Sequence, residues 1–395
     1  MKQFWQHIQR RTPLGWLQLR RERNRLYVAL VGIAFADILM FMQLGFQSAL
    51  YDSNSQLSRA LKADIVLLNP QAPYPQNLGT FSRRRLYQAM DFPGVQSAEA
   101  FYSSTINWRH PSTRKNILIQ VIAFNPARSV LNIAEVNQQL DKLKLPDHVL
   151  FDRKSRGKTR ASYKQMIALI ESGKSVSTEV DFRTVTVAGV FNLGASFGSD
   201  VVLVASDQTF LHFFPRRQPS NISLGLIQIK PGYDAQQVTA ALSSYLPKDV
   251  RVLTHNEYIA FEENYWRNES PIGFIFGFGT AMSFVVGVAI VYQVLSTDVN
   301  SHLQEYATFK AMGYQNKYLL TVVFEQAIIM AILGFIPGFA LSIGLYQMAA
   351  GATALPIYMK TSRAIFVFLL TLMMCILSGA IATRRLQYAD PAEMF

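Results

Sequence analysis

Residues Ile272–Leu295 read IGFIFGFGTAMSFVVGVAIVYQVL, 24 residues without a charged side chain. A helix of this length spans about 36 Å at ~1.5 Å per residue, enough to cross a hydrocarbon core of ~30 Å. Three other windows are similarly apolar: Leu26–Phe46, Tyr318–Tyr346 and Ala364–Ala382. The chain has 38 basic and 26 acidic side chains, and only two of them, Asp37 and Glu325, lie in the four windows. The sequence therefore predicts four membrane helices and excludes an ordinary soluble enzyme.

The chain carries a net charge of +12, which invites a nucleic-acid interpretation. Seven basic residues instead come just before the first window: Lys2, Arg10, Arg11, Arg20, Arg21, Arg23 and Arg25. Short basic flanks of this kind mark the cytoplasmic end of a membrane helix. We therefore expect no nucleic-acid partner, and we place the N-terminus and the C-terminus in the cytoplasm. The first window is longer than the apolar part of a signal peptide, so we expect an uncleaved anchor.

The predicted fold class is an α-helical membrane protein with four transmembrane helices and a large α+β extracytoplasmic domain between helices 1 and 2. The predicted segments are an amphipathic cytoplasmic N-terminal helix (1–25), the first membrane helix (26–46), the extracytoplasmic domain (47–271) with a smaller inserted subdomain (about 132–217), the second membrane helix (272–295), a cytoplasmic segment with a short helix (296–317), the third membrane helix (318–346), a short outer loop (347–363), the fourth membrane helix (364–382) and a cytoplasmic tail (383–395).

The polar insert alternates short β-branched runs with helical stretches, and turn residues separate them. The predicted strands are Asp64–Leu68, Ile117–Phe124, Thr184–Phe191, Val201–Val204 and Leu224–Ile229. The predicted helices are Phe81–Met90, Tyr163–Ser172, Asp234–Leu246 and Tyr258–Asn268. We expect the last of these helices to lead straight into the second membrane helix.

Two acids lie inside the predicted membrane helices, Asp37 and Glu325. A charge at that depth costs about 2.5 kcal/mol or more, so each acid should be protonated, paired or next to water. One interpretation is a structural hydrogen bond between helices or at a dimer interface, with polar neighbours Gln43, Tyr292, Gln293 or Gln326 as partners. The other is a role in substrate passage or proton coupling.

Pro337 interrupts the third window and is flanked by Gly334 and Gly338. Proline removes a backbone donor and kinks or breaks a helix. The sequence therefore predicts a kink or break here, which serves either packing or a hinge.

The segment Ser301–Tyr314, SHLQEYATFKAMGY, has the pattern of a short amphipathic helix with a capping serine and a terminating glycine. The residues singled out in it are Leu303, Glu305, Tyr306, Phe309, Lys310, Met312 and Gly313. An aromatic and methionine face suits docking into a groove of a partner protein. A linker helix on the membrane surface is the alternative.

No catalytic, cofactor or metal site is predicted. Gly157-Lys158-Thr159 and Gly173-Lys174-Ser175 resemble half of a phosphate-binding loop, but the required earlier glycine is replaced by Asp152 and Ala168. The six histidines show no ligand spacing, and Cys375 is the only cysteine.

The order of these segments resembles a known family. Glu305-Tyr306-Ala307 followed by Lys310-Ala311-Met312-Gly313 resembles the coupling-helix segment of MacB/FtsX-type ABC transporter permeases, and Tyr388-Ala389-Asp390-Pro391-Ala392-Glu393 resembles their C-terminal box. Within that family, Leu26–Phe46 together with Leu67-Leu68-Asn69-Pro70 and Val149–Ser155 is most similar to the DevC-type permeases of cyanobacteria.

The resemblance implies a non-catalytic permease subunit in a bacterial inner membrane, with its large domain in the periplasm. Such a permease forms a homodimer, and its coupling helix binds a separate ABC ATPase subunit, which binds the ATP. The outer domain meets a periplasmic adaptor protein and, through it, an outer-membrane channel. The implied cargo is a lipid, in DevC-type members a glycolipid, moved by mechanotransmission. The alternative is an FtsX-like signalling subunit that regulates an envelope hydrolase, and the large insert favours the exporter.

Overall fold

The computed structural model describes residues 21, 23–72, 77–110, 114, 116–155, 160–181, 183–194, 196, 198–302, 308, 312, 316–353 and 355–388, with backbone only at 160–162, 316–320 and 384–388. The chain divides into two compact units. We call Met1–Ser48, Ile272–Ala350 and Ile357–Phe395 the helical unit, and Ala49–Pro271 with Gly351–Pro356 the sheet unit. The predicted N-terminal helix, 1–25, lies outside the described residues except at 21 and 23–25.

The α-helices are numbered in chain order. They are α1 (Arg23–Asn54), α2 (Gln56–Ala60), α3 (Arg84–Met90), α4 (Ala134–Asn137), α5 (Leu140–Leu143), α6 (Arg160–Glu171), α7 (Asp207–Phe213), α8 (Ala235–Tyr245), α9 (His255–Asn264), α10 (Pro271–Ser301), α11 (Asn316–Thr353) and α12 (Thr361–Tyr388). Four of them, α1, α10, α11 and α12, are long and apolar enough to cross a membrane. This confirms the predicted fold class.

Pro337 lies inside α11 and does not end it. Of the predicted kink or break, the break is therefore wrong, and the kink stays a prediction. A membrane helix tolerates proline because neighbouring helices and small adjustments of the backbone satisfy the freed carbonyl.

The sheet unit is built on eleven described strands. They are β1 (Ile65–Leu68), β2 (Phe81–Ser82), β3 (Val95–Arg109), β4 (Asn116–Phe124), β5 (His148–Asp152), β6 (Val176–Val180), β7 (Arg183–Phe191), β8 (Val202–Ser206), β9 (Asn221–Ile222), β10 (Leu224–Ile229) and β11 (Arg251–Thr254). Nine form one mixed sheet in the order β11-β1-β10-β3-β4-β8-β5-β7-β6, and β2 pairs with β9. The long strand β3 also pairs with β6 through Trp108 and Val180, so the strands from β3 to β6 close into a ring.

The predicted inserted subdomain, about 132–217, shares its sheet with the residues that flank it. Its strands β5, β6, β7 and β8 belong to the same sheet as the flanking strands, and β3 and β4 complete their ring. The segment therefore does not fold around a sheet of its own, because the strands that close it come from outside its boundaries.

The core of the sheet unit lies on both faces of the sheet. In β1, Ile65 and Leu67 pack into one apolar cluster, and Val66 and Leu68 pack into the other. Successive side chains of a strand point to opposite faces, so a strand buried on both sides reads as a continuous apolar run.

The helix predicted over Tyr258–Asn268 does not run straight into the next one. Thr254 and Glu257 form a capping box that starts α9. A π-helical turn, Tyr265–Glu269, follows α9, and Ser270 then adopts an extended conformation before α10 begins. The expected uninterrupted helix is therefore wrong.

Candidate functional site

Polar side chains buried among the helices of the helical unit form the candidate site. On α12, Thr371, Cys375 and Ser378 share one face, spaced by four and three residues, and all are fully buried. The Ser378 hydroxyl lies 2.8 Å from the Val288 carbonyl of α10 and 2.8 Å from the Met374 carbonyl of its own helix, and it shares its one proton between them. This face of α12 is thus a polar stripe that ties neighbouring helices together.

Asp37 on α1 is fully buried and bonds to this stripe. The Thr371 hydroxyl donates to Asp37 Oδ1 at 2.6 Å and also contacts the Val367 carbonyl of its own helix at 2.9 Å. Asp37 Oδ2 has no hydrogen-bond partner among the described residues. The partner is therefore Thr371, and none of the four neighbours that the sequence offered.

Helix α11 packs very closely against α1 at the level of Asp37. A Cβ added to Gly338 would lie 2.9 Å from the Asp37 Cβ and 3.2 Å from the Cα and O atoms of Ala34. One added to Gly334 would lie 2.7 Å from the Ile33 side chain. Both glycines of the predicted hinge are thus contact points between α11 and α1, while Pro337 is exposed on another side of α11. These contacts favour the packing interpretation, and the hinge stays a prediction.

A second polar contact joins α1, α11 and α12 near the C-terminal end of α11. The Tyr346 hydroxyl donates to the Phe41 carbonyl of α1 and accepts a hydrogen bond from the Arg363 guanidinium of α12 at 3.2 Å. Arg363 is buried, donates to the Tyr358 carbonyl at 3.0 Å and lies over the Tyr346 ring. A buried cation is tolerated here because its donors are satisfied by a hydroxyl, a carbonyl and an aromatic face.

A third contact joins the start of α1 to the end of α10. Arg25 donates to the Ser301 hydroxyl at 2.6 Å, and the buried His302 lies 3.0 Å from the Asp298 carbonyl. Asp298, Ser301 and His302 belong to the predicted cytoplasmic segment 296–317, which contains the coupling helix. Most of that helix, including Leu303, Glu305, Tyr306, Phe309, Lys310 and Gly313, lies outside the described residues. Met312 is described, and its side chain is 61% exposed.

Sequence reasoning identified only part of this site. It found Asp37 and Glu325, but the structure does not bring them together, and Glu325 is half-buried. It missed Thr371, Ser378, Tyr346 and Arg363. The spacing of Thr371, Cys375 and Ser378 was a usable signal, since polar residues on one face of a membrane helix favour a helix contact.

These contacts have a mechanical consequence. Close backbone approach and hydrogen bonds are the main sources of association between helices in lipid, where no hydrophobic driving force acts. Contacts from α1 to α11 and α12, and from α12 to α10, hold the four helices in one arrangement. The arrangement suits a bundle that moves as a body rather than helix by helix.

We expect Asp37→Asn to change the free energy of unfolding by less than about 1 kcal/mol and to keep assembly and activity, because an asparagine oxygen still accepts from Thr371. The measurement is unfolding in detergent together with an activity assay in proteoliposomes. Loss of activity with intact assembly would contradict the structural role and assign Asp37 to substrate passage or proton coupling.

A known protein family matches the C-terminal part of the chain. Residues 277–391 match the family described as FtsX-like permease C-terminal. The match runs from α10 through the predicted coupling helix to the end of α12. It supports assignment of this segment to the FtsX-like permeases, and in this respect the resemblance inferred from sequence is confirmed. The closer resemblance to DevC-type permeases stays a prediction.

Solved structures give a weaker signal. The periplasmic region of MacB from Actinobacillus actinomycetemcomitans is similar at 15% identity and a TM-score of 0.34, over 52% of this chain and 95% of that one. The extracellular domain of the noncanonic ABC-type transporter YknZ from Gram-positive bacteria is similar at 12% identity and a TM-score of 0.31, over 49% of this chain and 100% of that one. No curated protein matches the chain.

Proposed function

We propose that the chain is the permease subunit of an ABC exporter. The observation that carries the proposal is the match of residues 277–391 to FtsX-like permeases, which includes the predicted coupling helix between α10 and α11. In the proposed mechanism a separate ATPase binds ATP and docks on that helix. Its closure then pulls on the helix bundle.

The bundle's own residues support this mechanism. A pull on the coupling helix acts on α10 and α11, which flank it in sequence. The Ser378 hydrogen bond passes the motion from α10 to α12, and Gly338 and Tyr346 pass it from α11 to α1. Because α1 continues without interruption to Asn54, it carries residues of the sheet unit as well.

The remaining parts of the proposal follow the resemblance inferred from sequence. They are a homodimer in a bacterial inner membrane, a periplasmic adaptor that connects the sheet unit to an outer-membrane channel, and a lipid cargo, in particular a glycolipid.

The test is affinity purification of the full chain from its native membrane, followed by mass spectrometry of the proteins that stay bound. An ATPase together with a periplasmic adaptor supports the exporter. An ATPase with an envelope hydrolase or its activator, and no adaptor, replaces the exporter with an FtsX-like signalling subunit. Recovery without any ATPase contradicts both functions.

We expect Met312→Asp to lower the affinity for the ATPase at least about tenfold, because it replaces an exposed apolar side chain of the predicted coupling helix by a charged one. Met312→Leu keeps the apolar volume and should bind normally. Pull-down of the purified ATPase by each variant, with titration of its concentration, gives the two affinities. Equal affinity of both variants would move the docking surface away from this helix.

A further inference from the structure

The sheet unit contains a cavity of about 70 Å³. Its walls come from the end of α1, from α2 and α9, from the middle of β3 and from the segment around Gly194. For comparison, an engineered cavity of about 150 Å³ holds a benzene molecule. The volume therefore suits a group of two or three heavy atoms.

A buried carboxyl group lies in the wall of this cavity. Glu262 on α9 is only 7% exposed. The Ser58 hydroxyl of α2 donates a hydrogen bond to Glu262 Oε2, and His255 Nε2 lies 2.7 Å from the Ser58 carbonyl. Glu262 Oε1 has no hydrogen-bond partner among the described residues. A carboxylate accepts several hydrogen bonds, so half of this group's capacity is unused.

A second oxygen acceptor in the same wall also lacks a partner. Gln56 Oε1 is buried and has no hydrogen-bond partner among the described residues. It lies against Gly194, whose φ of +118° favours glycine and where an added Cβ would be 2.5 Å from Gln56 Oε1. Asp152 fixes this backbone by accepting from the Gly194 N–H at 2.9 Å. A buried acceptor without a donor is costly, so the Gln56 oxygen points to a donor that occupies the cavity.

The charges around the cavity specify that donor. Among the described residues that line it, Glu262 carries the only carboxyl group, Tyr258 adds a phenol, and there is no lysine, arginine or histidine. The Ser53 hydroxyl gives its proton to the Leu50 carbonyl, so its oxygen also faces the surroundings as an acceptor. The wall also contains the side-chain amides of Asn54 and Gln120, which carry donors as well as acceptors. The Glu262 carboxylate is the one charged group among the described lining residues, and this favours a ligand that brings positive charge together with N–H donors.

We propose that this cavity binds a small primary ammonium group, with Glu262 as its counter-ion and Glu262 Oε1 and Gln56 Oε1 as hydrogen-bond acceptors. The proposal is independent of the exporter function. Its ligand is either a free amine or the ammonium group of a lipid such as phosphatidylethanolamine.

The protonation of Glu262 makes the binding dependent on pH. Burial raises the pKa of Glu262 to about 7, the Ser58 hydrogen bond opposes the shift, and the neighbouring Glu263 adds to it. Helix α9 packs against α2, β1, β11 and the π-helical turn. The charged and titratable side chains on these elements are Arg59, Arg251, His255, Glu257, Tyr258, Glu263, Tyr265, Arg267 and Glu269. Arg59 is paired with Glu263 at 2.6 Å and Arg251 lies over the Phe261 ring, so neither neutralises Glu262.

The sign of the stability effect follows from this shift. The folded-state pKa of Glu262 is above the ordinary value of 4.5, so the folded chain holds a proton that the unfolded chain releases between about 4.5 and 7. The stability from this group is complete below the ordinary value and is lost as pH rises through about 7. A bound ammonium restores it at high pH by compensating the carboxylate.

The experiment is calorimetric titration of the full chain in detergent with methylammonium chloride, at constant total chloride. We expect saturable binding at pH 8 and affinity about tenfold lower at pH 6, because the ionised fraction of Glu262 falls from about nine-tenths to about one-tenth while the amine stays protonated. Tetramethylammonium, which has no N–H donor, should not bind. Absence of saturable methylammonium binding at pH 8, or equal binding of both ions, overturns the proposal.

Two variants and a control assign the site. Glu262→Gln keeps an acceptor for Ser58 but removes the charge, and should lower affinity at least about tenfold and abolish the pH dependence. Gln56→Leu removes only the second acceptor and should weaken binding about fivefold, which keeps the test decisive if Glu262→Gln fails to fold. Glu263→Gln changes a neighbouring carboxylate that is already paired with Arg59, and should bind as the parent chain does. Unchanged binding in the first two variants overturns the assignment.

The source of the ammonium group is distinguished by reconstitution. We compare methylammonium binding in nanodiscs of phosphatidylcholine with binding in nanodiscs that also contain phosphatidylethanolamine. Competition by phosphatidylethanolamine identifies a lipid headgroup, and unchanged affinity identifies a free amine. Either result is separate from the copurification that tests the exporter.

Discussion

Replacing Gly338 by valine is expected to lower the free energy of unfolding of the chain by about 3 kcal/mol. The new Cβ would meet the Cα and O atoms of Ala34 at 3.2 Å and the Asp37 Cβ at 2.9 Å. Backbone atoms cannot move aside as a flexible side chain does, so α11 must shift away from α1. That shift also strains the hydrogen bond between Thr371 and Asp37, because Asp37 lies at the same contact. Unfolding by titration with sodium dodecyl sulfate measures the loss.

Gly344→Val is the matched control for this variant. Gly344 is on the same helix, and nothing lies within 4 Å of a Cβ added there. Both substitutions replace glycine by the same β-branched residue inside a helix, so their intrinsic helix propensities change equally. We expect Gly344→Val to be neutral or slightly stabilising. A similar loss in both variants would show that the close approach of α11 to α1 contributes little to stability.

Tyr346→Phe is expected to cost about 2 kcal/mol of stability. Tyr346 is only 2% exposed, and its hydroxyl both donates to the Phe41 carbonyl and accepts from Arg363. Removing one oxygen therefore breaks two hydrogen bonds that join α1, α11 and α12. It also leaves the buried Arg363 cation with one acceptor fewer, and a buried charge without its partners is costly.

Tyr358→Phe removes the same atom from a 53% exposed side chain. Only the backbone carbonyl of Tyr358 contacts Arg363, so the contact survives the substitution. We expect a change of less than about 0.5 kcal/mol, measured in the same detergent titration. If the two tyrosine variants lose equal stability, the buried contact at Tyr346 is not what holds the three helices.

The membrane helices were predictable because hydrophobicity alone marks them. All four predicted windows lie within observed helices, although α1 and α11 extend beyond them into polar sequence that hydropathy does not mark. The strands β1 and β10 were equally clear, since β1 is a continuous apolar run and β10 is one except for Gln228, and turn signals flank both.

The longest strand, β3, escaped prediction for a physical reason. Its middle residues Ser103, Ser104 and Thr105 line the cavity of the sheet unit, so they are polar where a strand buried on both sides would be apolar. The cavity itself was not predictable from sequence, because its two unpartnered acceptors, Gln56 and Glu262, are far apart in the chain and meet only when α2 packs against α9. The contact between Tyr346 and Arg363 was not predicted for the same reason, because neither residue stands out from the sequence of its own segment.

The position of β1 in the sheet bears on how the chain is made. β1 pairs with β10 on one side and β11 on the other, so both of its partner strands follow roughly 160 residues or more later. At a synthesis rate of ~5–20 residues per second, this apolar strand waits on the order of ten seconds or longer without a partner. During that time it is a target for chaperones, proteases and aggregation. A chain that stops before Arg251 leaves one edge of β1 permanently open, so truncated products of this protein stay targets for quality control after complete chains have closed that edge.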